Sequence, residues 1–355
     1  MPDWTRSMKQ TFEYYIVDPG TWQDKEKVDL VESCAITRDS ESETLGSSSL
    51  TCDTDLSDKY IRSYLVTEQD RIVEKFVLGT HLYQTPSISY TSTRQSSSQD
   101  GYTPLVELTE NPPPYGYSIN KGIAILSVAA DIIRDHTRVP VIDGANDDSL
   151  MDIFVSNTDD TWLTFVSDLV SNAKYSLGLD EMGRILFEKN QETASLSPIW
   201  TYNDDNSSIL YPEVTLSRDL YGIPNVVEVI YSPAGDSQPP LIARVVNDDP
   251  SSPVSTVNRG REITYRETNP DVVDGTDDDQ LKVYAENLLK EKSSLEYTLT
   301  YKHGYCPVRL GDCVRFNYER ADLRNIKARV VRQIITCKSG CQVEETAVFS
   351  KQLWG

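Results

Sequence analysis

The sequence predicts a mainly β protein that contains a smaller α+β part. Short runs rich in β-branched and aromatic residues, separated by polar turns, fill residues 1–117 and return after residue 212. Between them the apolar period changes to that of amphipathic helices. The 20 tyrosines against 7 phenylalanines suit half-exposed strands better than one large apolar core. A chain of 355 residues is long enough for two or three domains.

The first predicted domain covers residues 1–117 and is an antiparallel barrel or sandwich. A hairpin around Glu68-Gln69-Asp70 joins two of its strands, and the Ser- and Gln-rich segment Gln95–Asp100 is expected to be a polar hairpin tip. The proline run Asn111–Gly116 marks the domain boundary. The predicted strands are Thr11–Val17, Val28–Thr37, Tyr60–Val66, Ile72–Thr80, Ser87–Arg94 and Tyr102–Leu108.

The second predicted domain, residues 118–212, is an α+β module. Its first helix covers Ile119–Arg134, with Ser118 or Asn120 as the expected cap, and its second begins at about Asp160. A tight turn at Asp180–Gly183 then connects two short strands. These strands are predicted at Tyr175–Leu179 and Arg184–Glu188.

The third predicted domain, residues 213–355, is a second β domain with an inserted helix at 278–293. Acidic residues open this helix, and Lys290 and Lys292 lie near its end, which matches the helix dipole at both termini. The predicted strands are Glu213–Ser217, Asn225–Tyr231, Leu241–Asn247, Glu262–Glu267, Tyr297–Lys302, Cys313–Tyr318, Lys327–Thr336 and Gln342–Phe349.

The charge balance limits the classes of partner. A net charge of −21 argues against duplex DNA or an anionic membrane as an affinity partner, since both require clustered Lys and Arg. An acidic surface suits a passage through which DNA slides without binding. The sequence has no apolar run long enough for a membrane anchor, and Met1–Met8 lacks the apolar stretch of a signal peptide. We therefore expect the chain to be made in the cytoplasm and to stay there until another event releases it.

The cysteines raise a question of redox state or metal binding. There are six, at Cys34, Cys52, Cys306, Cys313, Cys337 and Cys341. Cys34 and Cys52 lie on successive strands and are expected to face each other, while Cys337 and Cys341 can oppose each other across the turn of the closing hairpin. The four C-terminal cysteines are alternatives for disulfides, for a four-thiolate zinc or iron–sulfur site, or for packed free thiols. Disulfides are favoured, because Cys337 and Cys341 can oppose each other across a three-residue turn, and neither pair has the two-residue spacing that strongly indicates zinc.

No catalytic or cofactor-binding residues are predicted. The histidines, His81, His136 and His303, lie outside Gly-x-Ser-x-Gly and His-Glu-x-x-His motifs. The loops Asp143–Asp148 and Asp271–Asp279 carry the carboxylates that Ca²⁺ prefers, but they lack the alternating spacing of a calcium loop. We expect both to be solvated loops.

Several segments in the order of the chain resemble one family. A helix at Leu281–Leu289 leads into a strand, Cys306–Phe316 contains a Gly311-Asp312 turn before another strand, and a long hairpin follows. Ile223–Ile230 and the helix-and-hairpin segment Trp162–Phe187 fit the same order. This arrangement resembles the tail hub proteins of bacteriophages and related contractile machines, the family that includes the late control D proteins.

The resemblance implies two antiparallel β-barrel domains of the tail-tube type, bridged by the small α+β module. Three subunits would form a pseudo-six-fold ring that caps the tail tube, adapts the six-fold tube to a three-fold spike and forms part of the DNA ejection channel. The implied partners are the tail tube protein, a central spike protein, the tape measure protein and other baseplate or distal tail proteins. Because the chain stops at Gly355, the spike is expected to be a separate protein.

Guided by this resemblance, we expect subunit and tube contacts at the hairpin Ile72–Leu78, at Gln95–Asp100 and at the closing hairpin around Lys338. Some long-tailed phage tip proteins hold an iron–sulfur cluster, which keeps that alternative open for the C-terminal cysteines. Two other functions remain: a virion adhesin that binds carbohydrate through Tyr and Trp on β-faces, and a tail-associated glycosidase with a carboxylate pair.

Overall fold

The structure is a computed structural model that describes residues 1–354, apart from Arg94, Asn146, Asp147, Ser207 and the segments 233–238 and 271–277. It divides into two compact units. The first contains Met1–Val214 and Thr300–Ala347, and the second contains Thr215–Leu299 and Val348–Gly355.

The structure is mainly β, as predicted. The strands are β1 (Lys9–Val17), β2 (Asp24–Val28), β3 (Ser33–Asp39), β4 (Gly46–Cys52), β5 (Lys59–Gln69), β6 (Ile72–Tyr90), β7 (Gln95–Tyr102), β8 (Ser118–Ile119), β9 (Phe154–Val155), β10 (Tyr175–Leu179), β11 (Ile185–Lys189), β12 (Trp200–Tyr202), β13 (Leu210–Arg218), β14 (Val226–Tyr231), β15 (Leu241–Val246), β16 (Thr264–Thr268), β17 (Ser294–Gly304), β18 (Cys313–Tyr318), β19 (Leu323–Thr336) and β20 (Gln342–Gln352). The helices are α1 (Ile125–His136), α2 (Trp162–Ser171), α3 (Thr256–Arg259) and α4 (Asp278–Lys292). Short 3-10 helices lie at Pro104–Leu108, Thr193–Ser195 and Glu319–Ala321.

A large sheet organises the first unit. Strand β19 lies beside β3, and the order continues through β4, β7, β6, β5, β1 and β2. These neighbours pair in antiparallel fashion, from Arg332 opposite Asp39 at one end to Tyr14 opposite Val28 at the other. At the C-terminal end of the chain β18 also pairs with β19, and β12 runs parallel to β18. The sheet thus joins strands from both predicted β domains.

The domain division from sequence stays a prediction. The boundaries of the compact units differ from the predicted domain boundaries, because β19 pairs with β3 and residues 300–347 therefore pack with the N-terminal strands. The chain passes between the units within β13, β17 and β20.

The hairpin between β5 and β6 is confirmed, with its turn one residue later than predicted. Gln69 lies opposite Ile72, so that Asp70 and Arg71 form a two-residue loop. Both have positive φ, 51° and 66°, as a type I′ turn requires. Such a turn matches the twist of the flanking strands.

The prediction of a hairpin tip at Gln95–Asp100 is wrong. These residues form β7, which pairs with β4 and β6, and the side chains of Ser97 and Gln99 are buried. Burial of Gln99 is tolerated because its carboxamide accepts a bond from the Leu56 amide and donates one to the Thr54 carbonyl, each 3.0 Å long. The strand predicted at Tyr102–Leu108 is also wrong beyond Tyr102, since Pro104 begins a 3-10 helix.

The two helices of the α+β part begin later than their apolar pattern indicated. Ser118, predicted as a cap, pairs in β8 with β9, and α1 starts at Ile125 after Ala124, which makes no side-chain cap bond. Helix α2 begins with a capping box in which Thr161 and Thr164 bond each other's backbone amides. The predicted apolar faces of both helices are confirmed, because they form one buried cluster with the neighbouring strands.

The second unit contains a small sheet covered by α4. Strand β14 is central, antiparallel to β15 and parallel to β16. The apolar residues predicted for the helix pack against the sheet's Val227, Val229, Ala243 and Val245. They are Leu281, Ala285, Leu288 and Leu289, which confirms the helical spacing of that segment.

Candidate functional site

All three predicted contact segments present exposed side chains. At the β5–β6 tip, Ile72 and Val73 are 64% and 63% exposed, whereas Leu78 is completely buried. Lys338 is exposed in the turn between β19 and β20. Within Gln95–Asp100, alternate side chains are buried as strand pairing requires, so that Ser98 and Asp100 remain exposed. That these segments contact other subunits or the tail tube remains a prediction.

The first unit also contains a buried acidic centre that the sequence analysis did not identify. Glu345 on β20 is completely buried. Its Oε1 accepts hydrogen bonds from Tyr301 Oη at 2.5 Å and Tyr202 Oη at 3.3 Å. Its Oε2 accepts a bond of 2.6 Å from Gln333 Nε2 and lies 3.5 Å from His303 Nε2. A buried carboxylate needs such partners, because an unpaired charge in an apolar interior is strongly destabilising.

The hydrogen bonds of His303 determine its protonation. Its Nδ1 lies 2.7 Å from the Gly304 carbonyl oxygen, so this nitrogen carries a proton and donates. Burial lowers the pKa of His303, but side-chain hydrogen bonds to Cys306 and Glu345 outweigh burial and raise the pKa to about 10. Burial likewise raises the pKa of Glu345, and hydrogen bonding and the positive charge of His303 outweigh it, so that this pKa is lowered. The two groups therefore form a charged pair at neutral pH.

A periodic signal for this centre was present in the sequence. In β17 the alternate residues Tyr297, Leu299, Tyr301 and His303 are all buried, and Glu345 shares the inward phase of β20 with Val343 and Ala347. Polar residues in the inward phase of a strand indicate a buried polar centre. Such a centre specifies packing, and it lacks the solvent access that substrate turnover requires.

A second polar network holds the turn Asp180–Gly183 against the large sheet. Arg62 on β5 is 1% exposed and donates to Asp24 Oδ1 at 2.8 Å and to the Met182 carbonyl at 3.2 Å. Trp22 Nε1 donates to the same carbonyl at 2.7 Å, and Thr80 Oγ1 donates to the Glu181 carbonyl at 3.1 Å. The predicted turn is therefore held in place within the first unit, through hydrogen bonds that its backbone carbonyl oxygens accept.

The six cysteines are free and buried in this structure. Cys306 Sγ lies 3.4 Å from Tyr202 Oη, and Cys313 Sγ points to the Val314 carbonyl at 3.9 Å. Cys34 and Cys52 were expected to face each other, but in the β3–β4 register Cys34 lies opposite Leu50. That disulfides form among the six cysteines remains a prediction.

Among the described residues, no group of three or more His, Cys, Asp or Glu side chains is arranged to hold a metal ion. The acidic loops predicted as solvated lie partly outside the described residues, at 146–147 and 271–277. Of the other two histidines, His136 stacks on Trp162 with ring centroids 4.1 Å apart. Burial and the nearby charge of Arg38 lower the pKa of His81 to about 3, so this imidazole is neutral. Across the described part of the chain, no helix has both the length and the apolarity to cross a membrane.

Comparison with known proteins gives matches among solved structures alone. No family model and no curated protein sequence matches the chain. The tail protein of Neisseria meningitidis MC58 matches with a TM-score of 0.60 at 12% identity, over 97% of this chain and 98% of that one. The 43 kDa tail protein of prophage MuSo2 from Shewanella oneidensis gives 0.59 at 11% identity, over 95% and 98%. A chain of the Francisella PdpA–VgrG complex gives 0.55 at 10% identity, over 98% of this chain and 53% of that one.

These likenesses establish the fold. The predicted resemblance to phage tail proteins is confirmed at this level, because the match extends over almost the whole of this chain and of both tail proteins. At 10–12% identity the comparisons carry no residue roles over to this chain.

Proposed function

We propose that the protein is a structural component of a phage-type tail, specifically the trimeric hub at the distal end. In this role it caps the tail tube, adapts the six-fold tube to a three-fold spike and forms part of the DNA ejection channel. It acts in the virion after assembly in the host cytoplasm, and it requires neither catalysis nor a cofactor. The observation that carries the proposal is the fold shared with the Neisseria tail protein over 97% of the chain.

The hub role further requires a ring. We propose that the strands of residues 1–117 and 213–355 belong to two barrels bridged by the module at 118–212, so that three subunits supply six barrels. The large sheet of the first unit contains strands from both segments, so in this proposal the two barrels are joined where β19 pairs with β3. The net charge of −21 fits a channel that repels DNA and lets it pass.

The partners of such a hub are a tail tube protein, a central spike protein, the tape measure protein and other baseplate or distal tail proteins. The PdpA–VgrG match supports assembly into a complex, since that structure contains VgrG bound to a second protein. For this chain the exposed tip of the β5–β6 hairpin is the contact we favour. It presents Ile72 and Val73 to solvent at the start of β6, beside the two-residue turn, and exposed aliphatic side chains gain free energy when a partner covers them.

The proposal is tested by the mass of the purified full chain in solution, measured by light scattering. We expect a trimer, and we expect the double variant Ile72→Ser/Val73→Ser to dissociate at concentrations where the natural chain stays assembled. Ile242→Ser on β15 is the matched control, because Ile242 is 62% exposed and lies outside the predicted contact segments. A chain that is monomeric at all concentrations contradicts the hub. A double variant that remains as trimeric as the control removes the hairpin tip from the interface.

The two alternative functions predict different results for the same purified protein. An adhesin binds glycans as an isolated protein, and binding depends on exposed aromatic residues such as Tyr90, Tyr115 and Tyr221. A glycosidase cleaves a glycan and loses activity when one of two carboxylates is replaced. A screen of glycan binding and cleavage therefore distinguishes both functions from a hub.

A further inference from the structure

The strand register brings together two cysteines that are far apart in sequence. Cys34 is the second residue of β3, and Cys337 directly follows β19. Thr336 lies opposite Ala35, so the next position of this antiparallel pair sets Cys337 opposite Cys34. The Cys337 amide continues the pairing, since it donates a bond of 3.0 Å to the Cys34 carbonyl. Residues of such a hydrogen-bonded antiparallel pair have Cα atoms about 5.5 Å apart, which lies within the range of about 4.4–6.8 Å that disulfides span.

The side chains of these two residues also meet. The neighbouring Cys34 thiol and burial raise the pKa of Cys337, and burial and both thiols raise the pKa of Tyr14, which places these three side chains together. Both side chains are buried, but Cys337 adjoins the exposed turn residues Lys338–Gly340. A small molecule can reach this site by a local opening of the turn.

We propose that Cys34 and Cys337 are the disulfide-forming pair of this protein, and that their oxidation by a small-molecule disulfide links β3 to the closing hairpin. This inference does not depend on the hub function. It replaces the pairings that the sequence favoured, and it makes the link between β19 and β3 covalent.

The other possible pairings fit the structure less well. Cys52 lies two positions beyond Leu50, the residue opposite Cys34, and such diagonal neighbours are about 7–8 Å apart. Two backbone hydrogen bonds fix the position of Cys341. Its amide donates to the Lys338 carbonyl at 2.8 Å, and its carbonyl accepts from the Tyr305 amide at 3.0 Å. With φ at 32°, Cys341 occupies a conformation fixed by this turn.

The exchange reaction balances with two molecules of thiol as products. One cysteine, as its thiolate, attacks a sulfur of the small disulfide and expels a thiolate, which leaves a mixed disulfide on the protein. The second cysteine then attacks the protein sulfur of the mixed disulfide and expels the second thiolate. The two protons lost by the cysteines end on the two released thiols, and the small disulfide is reduced as the protein is oxidised.

The test uses the full chain incubated with oxidised glutathione or with a reductant, then denatured and alkylated. We expect the oxidised sample to lose two alkylatable thiols, and we expect a non-reducing peptide map to show one cross-linked peptide containing Cys34 and Cys337. A map that shows Cys34–Cys52 or Cys337–Cys341 instead overturns the proposal. So does a folded chain that keeps six alkylatable thiols after prolonged oxidation.

Variants add a second readout. Cys337→Ser should abolish the loss of thiols, whereas the control Cys52→Ser should still form the cross-link, because Cys52 lies outside the pair. A cross-link that persists in Cys337→Ser contradicts the assignment. The peptide map of the natural chain decides the question even if the serine variant fails to fold.

Discussion

His303 Nε2 lies 3.5 Å from Glu345 Oε2, and both side chains are completely buried in the first unit. This pair joins the adjacent strands β17 and β20, and Tyr301 and Gln333 complete the hydrogen bonds of the carboxylate. Removing one partner leaves the other charge buried without compensation, which costs more than the intact pair contributes. The centre therefore makes correct strand pairing a condition of stability in this part of the sheet.

Replacing Glu345 with glutamine should destabilise the first unit by about 3–5 kcal/mol, because it leaves His303 buried without an anionic partner. The matched control is Glu344→Gln on the same strand. Glu344 is partly exposed and contacts Lys302 at 3.5 Å, so its replacement should change stability by less than about 0.5 kcal/mol. Urea unfolding followed by tryptophan fluorescence measures both values, and equal midpoints for the two variants would refute the role of the centre.

The same pair predicts how stability depends on pH. The pKa of His303 is raised from 6.5 to about 10 in the folded chain, so its contribution is complete below pH 6.5 and disappears as pH rises towards 10. The pKa of Glu345 is lowered, so its contribution is present above the ordinary value of 4.5 and is lost as pH falls below it. The stability difference between the natural chain and His303→Gln should therefore be largest between pH 4.5 and 6.5.

Above pH 6.5 this difference should fall by about 1.4 kcal/mol per pH unit, since one proton is released on unfolding. Unfolding curves of both proteins from pH 5 to 10 measure it. A difference that stays constant above pH 6.5 would show that His303 is neutral in the folded chain.

Arg62→Met should destabilise the first unit by about 3–5 kcal/mol. The change leaves Asp24 without its buried partner and removes the donor to the Trp22 and Met182 carbonyls. Arg324→Met is the control, because Arg324 is exposed and its contact with Asp322 is 3.7 Å long between two exposed side chains. That variant should unfold within about 0.5 kcal/mol of the natural chain in the same urea titration.

Gly183→Ala tests the close packing of the turn against the sheet. Gly183 has φ of 75°, and an added Cβ would lie 2.9 Å from Thr80 Cβ and 3.2 Å from Pro104 Cγ. Gly116 has nearly the same φ, 73°, with no atom within 4 Å of such a Cβ, so Gly116→Ala measures the backbone cost alone. We expect about 1 kcal/mol for Gly116→Ala and at least about 2 kcal/mol more for Gly183→Ala. Similar losses would mean that the turn is free to move away from Thr80.

The local elements were predictable because their signals are local. The face of α4, the strand β18 and the turn at Asp180–Gly183 follow from residue period and turn chemistry within a few positions. The start of α1 was misjudged because Ile119 is apolar in phase with the helix but is taken by pairing with Phe154. Strand β7 was missed because Ser and Gln have little strand preference, and its neighbours β4 and β6 impose the extended form.

The cysteine pair and the networks around Glu345 and Arg62 form between segments that are far apart in sequence. No local sequence pattern predicts which of these segments meet. Nothing near Cys34 points to Cys337, since the two meet only when β19 lies beside β3. The partners of Glu345 come from three other strands, and those of Arg62 come from β2, β6 and two loops. Inward-phase polar residues were the one available signal, and they indicate that a centre exists without naming its members.

The proposed hub role requires this chain to form a ring. Negative-stain imaging of the purified full chain, together with its mass by light scattering, tests it most directly. We expect ring-shaped particles with three-fold symmetry and a mass near three times 40.0 kDa. Monomers without a ring, seen at every concentration examined, would contradict it.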